Sequence, residues 1–405
     1  MKRRNRLLWL VLVAVALLGW AGCGSGCPTI SLSSSSSGGG GSTGGTSTAG
    51  TVCGPVNNPG GGGNNASLLY YLDSGNRKIL GAGLSTAGAF RALTSFTAPT
   101  LPSGVGSDMV IVNQKFLYLP QSDSRSIQAF TIDHTSGALT AISGSPFATA
   151  GADSITSDPA GRFLFVGNQT TGSVSVFQIN ATTGALVAAP ASPFSAFNLD
   201  FAKFLAVDGS GTFLYVGQGS PFLPIYAFSI GQTNGALSPV AGSPFGLNVA
   251  LVRTDFTGKH AIGISGTTGD KHLYVFAINP TTGALTAVNN SPFATTMATP
   301  QNLRVHPSSQ FVYAFGVDSS SASAATEGFA IDPSSGALTP LAGSPFTGLP
   351  MVDDCKWDQG GGEAFCADAA TSAFSVLNTS TSTGALTHTV PDLTVTDNMV
   401  FVPAN

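Results

Sequence analysis

Charge is scarce in this 405-residue chain: Asp, Glu, Lys and Arg together make up 9% of it, and glutamate occurs only at Glu327 and Glu363. Four of the 16 basic residues, Lys2, Arg3, Arg4 and Arg6, crowd at the start, leaving 12 against 20 acidic residues over the rest. A body with that deficit of positive charge excludes nucleic acid as its partner. Cysteine is also sparse, and only Cys355 and Cys366 lie far from the N-terminus. Two thiols without further ligands exclude a zinc site. Beyond the first 22 residues no stretch stays apolar for the roughly 18 residues that a membrane-spanning helix needs. Helical periodicity is missing too, as are a Gly-x-Ser-x-Gly elbow, a phosphate-binding loop, a Ser-His-Asp order and an Asp-x-Asp-x-Asp calcium loop. Neither a metal nor another cofactor is therefore expected. Ser, Thr, Asn and Gly supply the polarity instead.

The N-terminus reads as an export signal over residues 1–22, with a basic start, an apolar run from Leu7 to Trp20, and small residues at Ala21 and Gly22. Trp20-Ala21-Gly22-Cys23 resembles a bacterial lipobox, which makes Cys23 the expected lipidation site; the alternative is a plain secretory signal with Cys23 incidental. Residues 23–66 are Ser/Gly-rich and nearly free of apolar side chains, so they cannot bury enough surface to offset their ordering entropy. They read as a disordered tether between a membrane and the domain at 67–405.

That domain repeats itself. Thr-Gly-Ala-Leu or a near copy is centred on Gly88, Gly137, Gly184, Gly235, Gly283, Gly336 and Gly384, at spacings of 47 to 53 residues. Such a period marks an array of one supersecondary unit. The copy from Ser154 to Phe194 shows the unit. A short run, Ser154–Ser157, closes on the turn Asp158-Pro159-Ala160-Gly161. The β-branched and aromatic Phe163-Leu164-Phe165-Val166 follows, then the alternating Ser173-Val174-Ser175-Val176-Phe177-Gln178-Ile179, and finally Leu186–Ala189 after the Gly184 turn. These are four antiparallel strands. Seven such units predict an all-β, seven-bladed propeller of four-stranded antiparallel blades. The first copy opens on Leu68-Leu69-Tyr70-Tyr71, which matches a second strand. The chain ends on Asn398-Met399-Val400-Phe401-Val402-Pro403, which matches an innermost one, so the C-terminal strand is expected to complete the first blade.

Phe-Leu-Tyr-Val-Gly, Val-Ser-Val-Phe-x-Ile, Thr-Gly-Ala-Leu-Thr and Gly-Ser-Pro-Phe at this period resemble the lactonase seven-bladed β-propeller family, in its 6-phosphogluconolactonase-like, lipoprotein-type form. The resemblance covers 67–405. It implies the propeller fold and admits a lactone-opening activity, but its motifs are blade-building residues, and a fold does not establish a reaction.

Candidate site residues come from the deviations between copies. Aligned on the turn residues Asp158, Asp208, Asp255, His306 and Asp358, the innermost strands carry Thr156, Ala206, Arg253, Arg304 and Lys356 two positions earlier. Three neighbouring blades thus present a cation near the axis. Five positions before the turn stand Asp153, Lys203, Ala250, Gln301 and Asp353, with Asp108 and Asp397 equivalent. The expected site is the axial mouth away from the Asp-x-x-Gly and Thr-Gly-Ala-Leu turns. There Arg253, Arg304, Lys356, Lys203 and Asp153 would bind an anionic substrate, and His272 (beside Asp270 and Lys271) or Asp353 would serve as base. The bland alternative is a solvated channel whose polar groups satisfy one another. His134 and His306 fall in turns and read as surface or capping residues; His260 and His388 lie in strands and read as structural. Cys355 and Cys366 flank a hairpin turn opposite one another, which predicts a disulfide in an oxidising compartment, or else two small buried thiols.

The expected protein is thus an exported, periplasmic or cell-surface monomer, membrane-anchored through its lipid. It would act as a binding or scaffold module for a protein, glycan or small molecule. The alternative is a lactonase-type hydrolase.

Overall fold

The computed structural model describes residues 32–33, 68–73, 77–84, 90–93, 101, 108–195, 202–220, 222–247, 249–319, 324–350, 352–368, 373–388, 392–394 and 401–404. The export signal, most of the tether with Cys23, and Asp397 lie outside the described residues. Every regular element among those described is a β-strand, arranged in seven antiparallel sheets: an all-β propeller.

The third sheet shows the unit: Ser154–Ser157, Phe163–Asn168, Ser173–Ile179 and Leu186–Ala188 pair in sequence order, with Thr156 opposite Phe165 and Val166 opposite Ser175. Side chains alternate along a strand, and here both faces are covered. Phe163 and Phe165 pack into a cluster with Leu214 and Val216 of the fourth sheet, while Leu164 and Val166 pack with Phe116 and Tyr118 of the second. This is why each second strand reads as an unbroken apolar run: a sheet stacked between two others has no solvent face. Burying each such side chain stabilises by roughly 1.5–3 kcal/mol.

The repeated phrases do more than turn the chain. Tyr70, Tyr118, Tyr215 and Tyr313, all in second strands, donate their hydroxyls to the carbonyls of Gly137, Gly184, Gly283 and Gly384, each in the next sheet, at 2.7–2.9 Å. Each acceptor glycine has φ near +72° and a neighbour that a Cβ would strike; at Gly184, Phe116 would be 2.5 Å away. Only glycine meets both conditions without strain. Burial pushes these tyrosine hydroxyls up from their ordinary pKa, so they remain donors. The Ser-Pro-Phe phrase clips the rim. The Ser145, Ser192, Ser243, Ser291 and Ser344 hydroxyls accept from third-strand N–H groups at 2.9–3.0 Å. The phenylalanine that follows then pairs with the start of the same strand, as Phe194 does with Val174.

Innermost strands of successive sheets lie side by side around the axis. Phe401–Ala404 pairs with Leu68–Asp73, with Leu69 opposite Pro403, and lies between Asp354–Trp357 and Val110–Val112. Two residues of the segment read as tether, Leu32–Ser33, pair with Asp392–Thr394 at the seventh sheet. In that sheet Cys355 stands opposite Cys366 across the hairpin and the two are joined by a disulfide.

Candidate functional site

The turns after the innermost strands are built by carboxylates. Asp158 Oδ1 accepts the N–H groups of Arg162 and Phe163, and Asp208 and Asp358 repeat the pattern toward Phe213 and Glu363. Where the sixth sheet has His306 instead, the ring is buried and caps its turn, the second of the two roles expected for it, and does not lie at the surface. Its Nε2 donates to the Gly361 carbonyl at 2.8 Å, and its Nδ1 accepts from Ser308 N–H at 3.2 Å. One nitrogen donating and one accepting makes it a neutral imidazole, and burial beside Phe311 and Trp357 holds its pKa below the ordinary value. His260 is likewise buried, on Asp255 at 3.0 Å, and His388 contacts Asp392 at 3.0 Å. His134 is exposed at the surface.

A cavity of about 330 Å³ enters the channel from this turn face. Asn113, Pro159 and Phe256 stand exposed at one end, and Arg253 and Arg304 line it toward the axis. The short inner turns leave this end of the channel open, whereas the expected site is the opposite mouth. Of the proposed binding residues, only Arg253 and Arg304 line the cavity.

The three aligned cations do not form a common anion clamp. Arg304 holds Asp354 through two parallel hydrogen bonds, Nε to Oδ1 at 2.7 Å and Nη2 to Oδ2 at 2.6 Å. Lys356 Nζ pairs with Asp108 across the first sheet's innermost strand. Burial alone would push the Asp354 carboxyl up; the Arg304 charge and hydrogen bonds, with Lys356 and Arg253 beyond, hold it below the usual range instead. Arg304 shows the mirror effect, its burial outweighed by Asp354 so that its pKa lies above the ordinary value. Arg253 is different. Its Nε is buried with no hydrogen-bond partner, and among the described residues it has no ion-pair partner. Burial first, and then the neighbouring Arg304 charge, push its pKa down to about 9 against the pull of Asp354 and Asp108.

Asp354 was the missed residue. It lies two positions before Lys356 on the same strand, so the period-two rule already puts both on one face. A search confined to cations at a single aligned position passes over it. The remaining polar groups of the cavity are mostly engaged: Thr254 Oγ1 donates to the Val207 carbonyl at 2.7 Å, and Asp158 and Asp255 serve their own turns.

The other proposed residues sit apart from the cavity lining. Asp153 accepts from Gln169 N–H at 2.7 Å; Lys203 is exposed, with its ammonium 5.3 Å from the Phe204 ring centre. Asp353 is exposed and its carbonyl accepts from Asn302. His272 opens a third strand, donating from Nδ1 to Asp270 Oδ1 at 2.8 Å, while Tyr274 donates to Asp270 Oδ2 at 2.9 Å. Burial raises the Asp270 carboxyl, but hydrogen bonds from Ser265, His272 and Tyr274 outweigh it and hold the group low. Burial and the Asp270 contact lift the Tyr274 hydroxyl to about 12. His272 is 43% exposed and is not part of the cavity lining that holds Arg253. Among the described residues, no three His, Cys, Asp or Glu side chains converge to hold a metal, and no helix is long and apolar enough to cross a membrane.

Residues 65–195 match the family described as Lactonase, 7-bladed beta-propeller. Among solved structures, the chain is similar to the periplasmic gluconolactonase of Pseudomonas aeruginosa, at 17% identity and a TM-score of 0.63, over 84% of this chain and 99% of that one. It is equally similar to a Bacteroides fragilis protein provisionally named a 6-phosphogluconolactonase, at 19% identity, a TM-score of 0.63 and the same coverage. At such identities the likeness speaks for the fold. No curated protein matches the sequence.

Proposed function

We propose that the chain, a propeller with a lactonase-family match whose channel presents among the described residues an unanswered cation and no free base, is a binding module for a small anionic ligand, working at the cell envelope. The observation that carries this is the contrast at the axis: Arg304 and Lys356 are neutralised by Asp354 and Asp108, whereas the buried Nε of Arg253 has no partner. A desolvated cation without an acceptor costs free energy in the empty protein, and an anion entering the cavity relieves that cost. Hydrolysis also requires a group that takes a proton from water. The carboxylates lining the cavity, Asp158 and Asp255, are held by turn N–H groups and by Arg162 and His260.

In this reading the propeller closes as a seven-bladed ring through its C-terminal strand, is exported by residues 1–22, and hangs as a monomer from a lipid on Cys23 by the segment 23–66. The second reading is a lactonase-type hydrolase. The family match favours it, as does the Asp270–His272 pair, whose free Nε2 is suited to accept a proton. Lactone hydrolysis by the purified domain 67–405 separates the two. The binding reading expects no turnover on a panel of sugar and aliphatic lactones; turnover lost in His272→Ala would replace it with the hydrolase. Labelling with a fatty acid, wild type against Cys23→Ala, tests the anchor.

A further inference from the structure

We propose that His306 is an acid-sensitive latch between the sixth and seventh sheets: its neutral ring holds their turns together, and uptake of a proton frees them. The inference is independent of the anion site at the axis, and it starts from a break in the repeat. At the turn after the innermost strand, the third, fourth, fifth and seventh sheets carry Asp158, Asp208, Asp255 and Asp358. Each of these carboxylates is occupied by N–H groups of its own turn or of the strand that follows. His306 reaches across instead. Its Nε2 donates to the Gly361 carbonyl in the seventh sheet's turn, while Ser308 Oγ takes over the local duty by accepting from Gln310 N–H at 3.2 Å. Gly361 has φ +72°, and a Cβ there would stand 2.4 Å from His306 Cε1, so the ring is wedged against the backbone of the neighbouring turn. Asn113 makes a version of this bridge that cannot titrate. Its Nδ2 reaches the carbonyl of Gly161, the glycine equivalent to Gly361, at 3.5 Å.

The ring is sealed in. It lies edge-on to Phe311, Tyr313 and Trp357, with centroids 5.6, 6.5 and 5.7 Å away. The charged groups on the elements packed around it are Arg304 on its own strand and Asp354, Lys356, Asp358 and Glu363 on the seventh sheet. Asp255 and Lys259 belong to the fifth-sheet turn, whose Phe256 N–H donates to Ser309 Oγ. Arg304 is held by Asp354, Lys356 pairs with Asp108, and Asp255 pairs with His260. Asp358 is the one whose charge acts on the ring. It favours the protonated form, but burial outweighs it, and the proton affinity of the folded ring lies below that of a free imidazole. Ser308 Oγ, 2.8 Å from Nδ1, can turn to accept a proton placed there; the Ser308 N–H, 3.2 Å from the same nitrogen, then faces a donor. A state with the turns apart takes up the proton more readily than the closed one. The latch is therefore fully closed above the ordinary histidine range and weakens as pH falls through that range toward the lower folded value. The same seam is tied at the axis by Arg304 and Asp354, and the Asp354 carboxyl is held below the usual carboxylate range, so that tie outlasts His306. Acid loosens the turn-face end of the seam first, at the end of the channel where the cavity opens.

The test uses the full chain with Trp9→Phe and Trp20→Phe, which leaves Trp357, beside the ring, as the one tryptophan. Trp357 emission and amide hydrogen exchange, corrected for the intrinsic effect of pH, are followed from about pH 8 to about pH 5. Emission is expected to change with a midpoint below about pH 6.5. Over the same range exchange should quicken in the turns 306–311 and 358–363, by up to about tenfold per pH unit, the slope of one proton. The Asp158–Arg162 turn should stay protected. His306→Asn, patterned on Asn113, and His306→Asp, which restores the carboxylate of the other turns, should both lose these responses. Uniform loosening of every turn in the wild type overturns the latch without any variant. So does an emission change without faster exchange in the two turns, an unaltered response in His306→Asn, or no response at all.

Discussion

Tyr118 and Arg253 are both polar side chains that strands carry into the interior of the same repeated unit. Tyr118 finds an acceptor at the Gly184 carbonyl, 2.7 Å away in the next sheet; Arg253 Nε finds none. The tyrosine belongs to the repeat, and its partner is a turn glycine that the repeat also supplies. The arginine stands where the repeat breaks: its counterparts in the third and fourth sheets are Thr156 and Ala206. The seams between sheets are therefore satisfied many times over by one solution, while the channel is asymmetric, neutral on one side and charged on the other. Stability belongs to the periodic part and binding to the aperiodic part.

Removing Phe401–Ala404 attacks the periodic part hardest, because it strips the first sheet of its innermost strand and exposes an edge between two neighbours. A chain ending at Val400 should lose on the order of 4 kcal/mol or fail to fold cooperatively, as seen in thermal melting; a melting temperature within a few degrees of wild type would show that this strand is not what holds the ring. Next in size is Arg304→Ala, which strips the half-buried Asp354 of its bidentate partner, at a cost of about 2–3 kcal/mol. The double variant Arg304→Ala with Asp354→Asn should recover most of that loss, and equal stability of single and double variants would deny the coupling. Tyr118→Phe tests the seam more gently. Loss of one buried hydrogen bond should cost about 1 kcal/mol in denaturant unfolding, with the anion site untouched.

Acid titration sharpens the comparison from the other side. Asp354 has its pKa lowered by its partners in the folded chain, so the stability it contributes is present above the ordinary carboxylate range and is lost as pH falls through that range and below it. Asp354→Asn should flatten this part of the acid limb, whereas Tyr118→Phe should shift the whole curve without changing its shape. The smallest expected effect is that of Arg253→Gln on the empty protein: within about 0.5 kcal/mol of wild type, or slightly stabilising, because an unpartnered buried cation is removed. A loss of several kcal/mol there would mean that Arg253 is structural and not kept for a ligand.

Much of the fold was legible in the chain because the period, the turn glycines and the apolar second strands are local and repeated, so that each copy corroborates the next. The alignment that this period permits also exposed Arg253 and Arg304 as inward-facing. It failed on their partners. Asp354 and Asp108 carry no local signal of ion pairing, and Asp108 meets Lys356 across 248 residues of sequence. The cavity on the turn face carries no local signal either: whether a short turn leaves a gap or fills it depends on how Asn113, Pro159 and Phe256 from separate sheets converge.

Composition and period alone thus determined an all-β propeller with little charge, glycines where the backbone must turn left-handed, and cations gathered on one arc of the axis. Only the tertiary structure decided which of those cations are answered. Neutralisation depends on distances between strands far apart in sequence, and at the axis of a ring a charge two sheets away is as near as a neighbour.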